Sequence, residues 1–283
     1  MKATKFGALC AIVLLFTSLY SCKDDKEDSP STKETGVKLT ANATFGDIIT
    51  DNEGRALYFF SNDANGSSSC TGGCLIAWPA YYSENLKVGT GLNSSDFGTI
   101  TRSDGAKQTT YKGWPLYYYQ SDTKAGDVKG DGVTDNWFVA KADYTVMISY
   151  TQLVGNDGVQ YNSQGKAGQE FSQYLTDAHG NTLYAFIQDR FKQNKFTNND
   201  PTHDAVWPIF PVATIGSIPS ILDKSQFELI TVFGKTQLVY KGNPLYYFGA
   251  DNMQRGKTLG ISVPVPGAAI WPIVNKNTAT AAM

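Results

Sequence analysis

Short apolar and aromatic segments are separated by frequent Gly and other turn-forming residues, and no long stretch combines helical periodicity with caps. Segments such as Phe97–Thr101 and Phe227–Val232 are rich in β-formers. They are bounded by turn signals such as Asp104-Gly105 and Gly242-Asn243-Pro244, so the pattern predicts an all-β chain. One phrase recurs four times, as Leu-Tyr-Phe-Phe-Ser-Asn-Asp at residues 57–63, Leu-Tyr-Tyr-Tyr-Gln-Ser-Asp at 116–122, Leu-Tyr-Ala-Phe-Ile-Gln-Asp at 183–189 and Leu-Tyr-Tyr-Phe-Gly-Ala-Asp at 245–251. Its fixed positions are Tyr58 and Asp63, Tyr117 and Asp122, Tyr184 and Asp189, and Tyr246 and Asp251, and they mark an array of one structural unit. Within each copy the alternation predicts a strand with one buried face, ending in a turn where the Asp bonds backbone N–H groups.

The copies have a hierarchy. Residues 45–54 align without gaps with 171–180, while Tyr-Lys-Gly-Trp-Pro-Leu-Tyr at 111–117 matches Tyr-Lys-Gly-Asn-Pro-Leu-Tyr at 240–246. The order is A-B-A-B, so the duplicated unit is a pair. Two β repeat domains are expected, at 38–150 and 151–275, with their seam in the Gly/Asn/Gln-rich residues 155–168 and a tail at 276–283. A small four-bladed propeller-like array is the alternative. Trp78, Trp207 and Trp271, each before a Pro, and the bare Trp137 are expected to plug the units' cores.

The N-terminus carries Lys2 and Lys5, an apolar run at 8–16 too short to span a bilayer, and small residues leading to Cys22. Residues 1–21 are read as a secretory signal peptide. Their end resembles the lipobox of bacterial lipoproteins, which implies cleavage before Cys22, acylation there and anchoring to a membrane. Residues 22–37 form an acidic, flexible tether. The run behind Cys22 resembles the export signal of some gram-negative lipoproteins, which implies the outer membrane and exposure at the cell surface.

A formal net charge of −2 offers nothing to nucleic acid. With Cys10 in the signal and Cys22 acylated, Cys70 and Cys74 remain. The pair is read as a structural disulfide of an oxidising compartment, with a redox pair as the alternative. Closing so short a loop contributes at most about 2 kcal/mol.

The phrase L-Y-x-aromatic-x-x-D, the string C-x-G-x-C-x-x-x-W-P at 70–79 and the string R-x-D-G-x-x-Q-x-T-Y at 102–111 together resemble one family. It is the lipoprotein repeat family named for its Y-x-(F/W/Y)-x-x-D motif, the secreted repeat of unknown function. The resemblance is close over most of residues 45–140 and looser beyond. It implies an envelope location and brings no established chemistry. Counted back from Trp207, His203 and Asn199 stand at the places of Cys74 and Cys70, and Thr231 and Phe233 at those of Arg102 and Asp104.

Arg102, Asp104, Gln108 and Tyr111 are the nearest approach to a polar ligand site, and only the first domain has them intact. Asp127 and Asp131 lie in Gly-Asp-Val-Lys-Gly-Asp-Gly, which resembles the start of a calcium loop, but Lys129 occupies a ligand position and Phe138 the closing one. No catalytic signature is recognised and no cofactor is expected, with calcium or haem as weaker alternatives. The expected function is a non-enzymatic, lipid-anchored envelope protein that binds a protein or glycan partner. A redox or cofactor-associated accessory protein using Cys70 and Cys74 is the alternative, and a surface glycan-binding protein is a second one.

Overall fold

The computed structural model describes residues 35–283; the expected signal peptide, Cys22 and most of the tether lie outside the described residues. The described residues form five small sheets, mostly antiparallel, and their helix is confined to short turns such as Gly73–Ala77 and Pro201–Asp204. In the first half, Gly36–Asn42 pairs with Gly46–Asp51, and Phe97–Thr101 pairs with Lys107–Tyr111, which continues onto Trp114–Pro115. The second half repeats this with Val146–Val154 against Phe171–Asp177, and Phe227–Val232 against Lys235–Tyr240 and Asn243–Pro244. Strand Val146–Val154 runs straight through the boundary expected at residue 150, and the described residues form one compact unit.

The shared Tyr-Lys-Gly frame has a local cause. Lys112 and Gly113, like Lys241 and Gly242, both have positive φ between the paired residues Tyr111 and Trp114, or Tyr240 and Asn243. Two consecutive left-handed residues make the type I′ turn whose twist matches antiparallel strands. A side chain on Gly242 would also run into the Phe191 ring.

The motif copies do not each seed a blade, as a propeller would require. They pair with one another: Tyr58 N–H donates to the Tyr117 carbonyl (2.8 Å) and Tyr117 N–H returns a bond to that of Tyr58 (3.1 Å), and Tyr184 and Tyr246 exchange the same two bonds at 2.9 Å. Both faces of these segments are buried, where the alternation predicted one. Leu57, Phe59 and Leu116 pack into one core with Tyr111 and Trp114, while Tyr58 and Tyr117 pack on the other side with Trp78 and Trp137. In the second half Leu183 and Leu245 separate in the same way from Tyr184 and Tyr246. Strand alternation therefore sorts each phrase into a Leu-side and a Tyr-side core.

The halves are joined by shared packing and by the cation Arg255. Phe138 enters the Leu-side core of the second half, and Met147 that of the first. Arg255 reaches back to the carbonyls of Ala64 (2.9 Å) and Lys112 (3.2 Å) and lies 4.6 Å from the Trp114 ring centre. Burial pulls its pKa down to about 10, so it stays charged at neutral pH.

Candidate functional site

The four motif aspartates and tyrosines form two reciprocal pairs. Tyr58 Oη donates to Asp122 Oδ2 (2.5 Å) and Tyr117 Oη to Asp63 Oδ2 (2.6 Å). Tyr184 Oη donates to Asp251 Oδ2 and Tyr246 Oη to Asp189 Oδ2, each at 2.8 Å. The Tyr of each copy thus serves the Asp of its partner copy, so the motif's spacing is explained only across two copies. The second carboxylate oxygen closes the loop downstream, accepting the backbone N–H of Ser69, Lys129, Lys195 or Leu259. Burial outweighs these bonds and pushes the carboxyls of Asp63, Asp189 and Asp251 up to about 6, and raises that of Asp122. Burial first, and the adjacent carboxylate second, hold the phenols of Tyr117 and Tyr246 well above their ordinary value.

Around each pair the rings stack four deep. Phe60, Trp137, Trp78 and Tyr119 follow one another at 4.0, 3.8 and 4.2 Å in the first half. Phe186, Trp271, Trp207 and Phe248 do so at 4.4, 3.8 and 4.4 Å in the second. The two stacked tryptophans of each half, Trp78 with Trp137 and Trp207 with Trp271, therefore plug one shared core rather than one unit each. Gly130 and Gly260 donate their N–H to Tyr58 Oη and Tyr184 Oη, where a side chain would come within 2.8 Å of the Trp and Tyr rings.

Of the polar string at 102–111, the structure brings together Arg102 and Gln108. Buried Arg102 donates to Gln108 Oε1 (2.8 Å), Ser68 Oγ (2.5 Å) and the Cys70 carbonyl (2.8 Å), and Gln108 donates to the Leu116 carbonyl. The Ser68 hydroxyl lies 2.7 Å from Tyr117 Oη, so Arg102 ties the disulfide loop to the motif pair. Asp104 reaches Arg102 Nε at 3.3 Å from an exposed position, while Tyr111 is buried among Phe59, Phe97 and Trp114. Cys70 and Cys74 are bonded to each other, with their Cα atoms 5.3 Å apart. In the second half Asn194 takes the place of Arg102 on the corresponding Gln237 (2.8 Å). There the strand pairing, Phe227 with Tyr240 as Phe97 with Tyr111, makes the hairpin one residue shorter. Val232, not Thr231, therefore stands at the position of Arg102.

The carboxylates of the calcium-like loop do not converge. Asp127 accepts Thr123 N–H and Lys129 Nζ, whereas Asp131 accepts Val139 N–H. Among the described residues no group of three or more His, Cys, Asp or Glu could hold a metal ion. His203 stacks on Phe196 at 4.3 Å and contacts Asp204 at 2.9 Å.

Sequence reasoning passed over a cleft in the second half. A cavity of about 390 Å³ lies between Phe186, Ile187 and the C-terminal residues 277–282, and a second of about 420 Å³ lies beside Tyr150 and Phe171. They share Ser163, Gln164, Asn275 and Asn277. The available signal was length: sixteen residues separate Val146–Val154 from Phe171–Asp177, against three between the corresponding strands of the first half.

No helix among the described residues is long and apolar enough to cross a membrane. No curated protein and no solved structure matches the chain. Residues 39–81 and 98–141 each match the model of a family described as a secreted repeat of unknown function. Each match takes in one motif phrase and one of the stacked tryptophans, Trp78 or Trp137. Two copies similar to that secreted repeat of unknown function therefore stand in the first half of this chain, at residues 39–81 and 98–141.

Proposed function

We propose that this protein is lipid-anchored to the outer membrane through Cys22 and acts at the cell envelope by binding a partner rather than by catalysis. The observation that carries this reading is the use made of the motif carboxylates. Each of the four accepts a phenol and a main-chain N–H, so each holds the scaffold together instead of facing a reactant. A general acid or base needs an oxygen within hydrogen-bond reach of substrate. A secreted repeat, cross-tied in this way, supplies a rigid platform at the end of a tether. The test is labelling of cells with an alkyne-tagged fatty acid. The wild-type chain is expected to take the label and to fractionate with outer membranes, and Cys22→Ser to do neither. Equal labelling of both chains, or wild-type protein found only in the soluble fraction, would overturn the anchored reading.

A further inference from the structure

The two halves share the motif pairs, the ring stacks and the type I′ turns, so their differences show where one half does something the other does not. Two segments are additional in the second half. The loop at 155–170 replaces the three-residue turn of the first half, and residues 275–282 run on past the last motif strand. They converge, and Ser163 and Gln164 from the loop with Asn275 and Asn277 from the tail form the floor common to the two cavities. The tail is held across this region by ordered bonds, Phe191 N–H to the Ala282 carbonyl (2.7 Å), Ala281 N–H to that of Lys241 (3.0 Å) and Asn243 Nδ2 to that of Ala279 (2.9 Å).

We propose that this cleft binds an uncharged oligosaccharide; the inference rests on the reading that the protein works by binding, and it names the ligand class. Sugar rings present ring C–H faces and a rim of hydroxyls that both donate and accept. A site for them joins apolar platforms to a few unengaged amides and hydroxyls. Phe186, the end ring of the stack with one face on Trp271, lines the first cavity with Ile187. Exposed Phe171, edge-on to Tyr150 at 5.7 Å, lines the second. Between these platforms the exposed amides of Gln164 and Asn277 make no side-chain hydrogen bond among the described residues. Charge argues for a neutral ligand. Asp189 in the first cavity is buried with both oxygens occupied, and in the second Asp135 and Lys276 neutralise each other at 2.9 Å beside Glu170. Nothing there compensates an anionic polymer.

The test is calorimetric titration of the full chain, solubilised in detergent, with cellopentaose, xylopentaose, maltopentaose and mannopentaose, and with pentagalacturonate as the charged control. At least one neutral sugar is expected to bind and the control not to. The variant Gln164→Ala/Asn277→Ala/Phe171→Ala, which alters exposed side chains, is expected to keep its melting midpoint and weaken binding at least tenfold. Hydrogen exchange, which needs no variant, is expected to show new protection at 155–170 and 275–282 when sugar is added. Overturning results are no binding of any neutral sugar at millimolar concentration, preference for the charged one, or binding that neither the variant nor exchange places in the cleft. A chain that is acylated at Cys22 yet binds no sugar would sink this inference and leave the anchored reading standing.

Discussion

Replacing Tyr246 by Phe removes one oxygen and leaves the packing of its ring in place. That oxygen donates only to Asp189 Oδ2, at 2.8 Å, and the other carboxylate oxygen keeps its bond from Lys195 N–H at 2.7 Å. A buried hydrogen bond to a charged group contributes about 1.5–3 kcal/mol, and a neutral one about 1 kcal/mol. Which value applies depends on pH, because burial holds the Asp189 carboxyl at about 6 in the folded chain, above its ordinary value of 3.8. A carboxyl raised in this way makes the folded state take up a proton that the unfolded state does not between about pH 6 and 4. Stability from this group therefore rises as pH falls through that window and is lowest above it. Tyr246 helps the charged form, so without it the folded carboxyl titrates higher still. At pH 8 the variant must bury a charge with one donor missing, at a cost of about 2 kcal/mol; at pH 5 the carboxyl is protonated in both proteins and the cost falls to about 1 kcal/mol. For a chain of this size each kcal/mol lowers the midpoint by about 2–4 °C. Thermal melts of both proteins at pH 8 and pH 5 measure the difference directly. A loss at pH 5 equal to or larger than that at pH 8 would show that the bond does not favour the carboxylate and refute the reasoning.

Two further perturbations test the scaffold. Arg102→Met strips donors from Ser68, Gln108 and the Cys70 carbonyl and should cost about 3 kcal/mol or more in urea unfolding, whereas Asp104→Asn, at the exposed end of the same ion pair, should leave the midpoint where it is; equal effects would mean that Arg102 is held by Asp104 and not by the loop. Gly260→Ala places a methyl 2.8 Å from Trp207 and Tyr184, an overpacking expected to cost about 1–3 kcal/mol, and an unchanged melting midpoint would show that the ring stack yields freely there.

The all-β class was legible because alternation with period two and turn residues are local properties. Tyr-Lys-Gly at 111–113 and 240–242 announced its turn in the same way, through the backbone freedom of the glycine. The partner of each motif Asp was not legible. Asp63 is bonded by Tyr117, 54 positions away, and not by Tyr58 of its own copy, and nothing in a repeat's internal spacing says which copy closes the pair. Arg102 read as part of a polar ligand site because Asp104, Gln108 and Tyr111 are near in sequence, whereas its contacts Ser68 and Cys70 come from a loop more than thirty residues earlier.

The recurring phrase and its A-B-A-B order were legible in the chain itself, since each copy is carried by residues close together. The sequence also marked Leu and Tyr for opposite sides of a strand. Packing in three dimensions buries both sides, lets the tyrosines and aspartates serve each other across copies, and puts Trp78 and Trp137 in one stack. It alone brought the loop at 155–170 to the tail at 275–282, which lie more than a hundred residues apart. The physical reason is range: backbone preference and strand alternation act over a few residues. Burial, carboxylate titration and the lining of a cleft depend on groups that meet only when segments distant in the chain pack against each other.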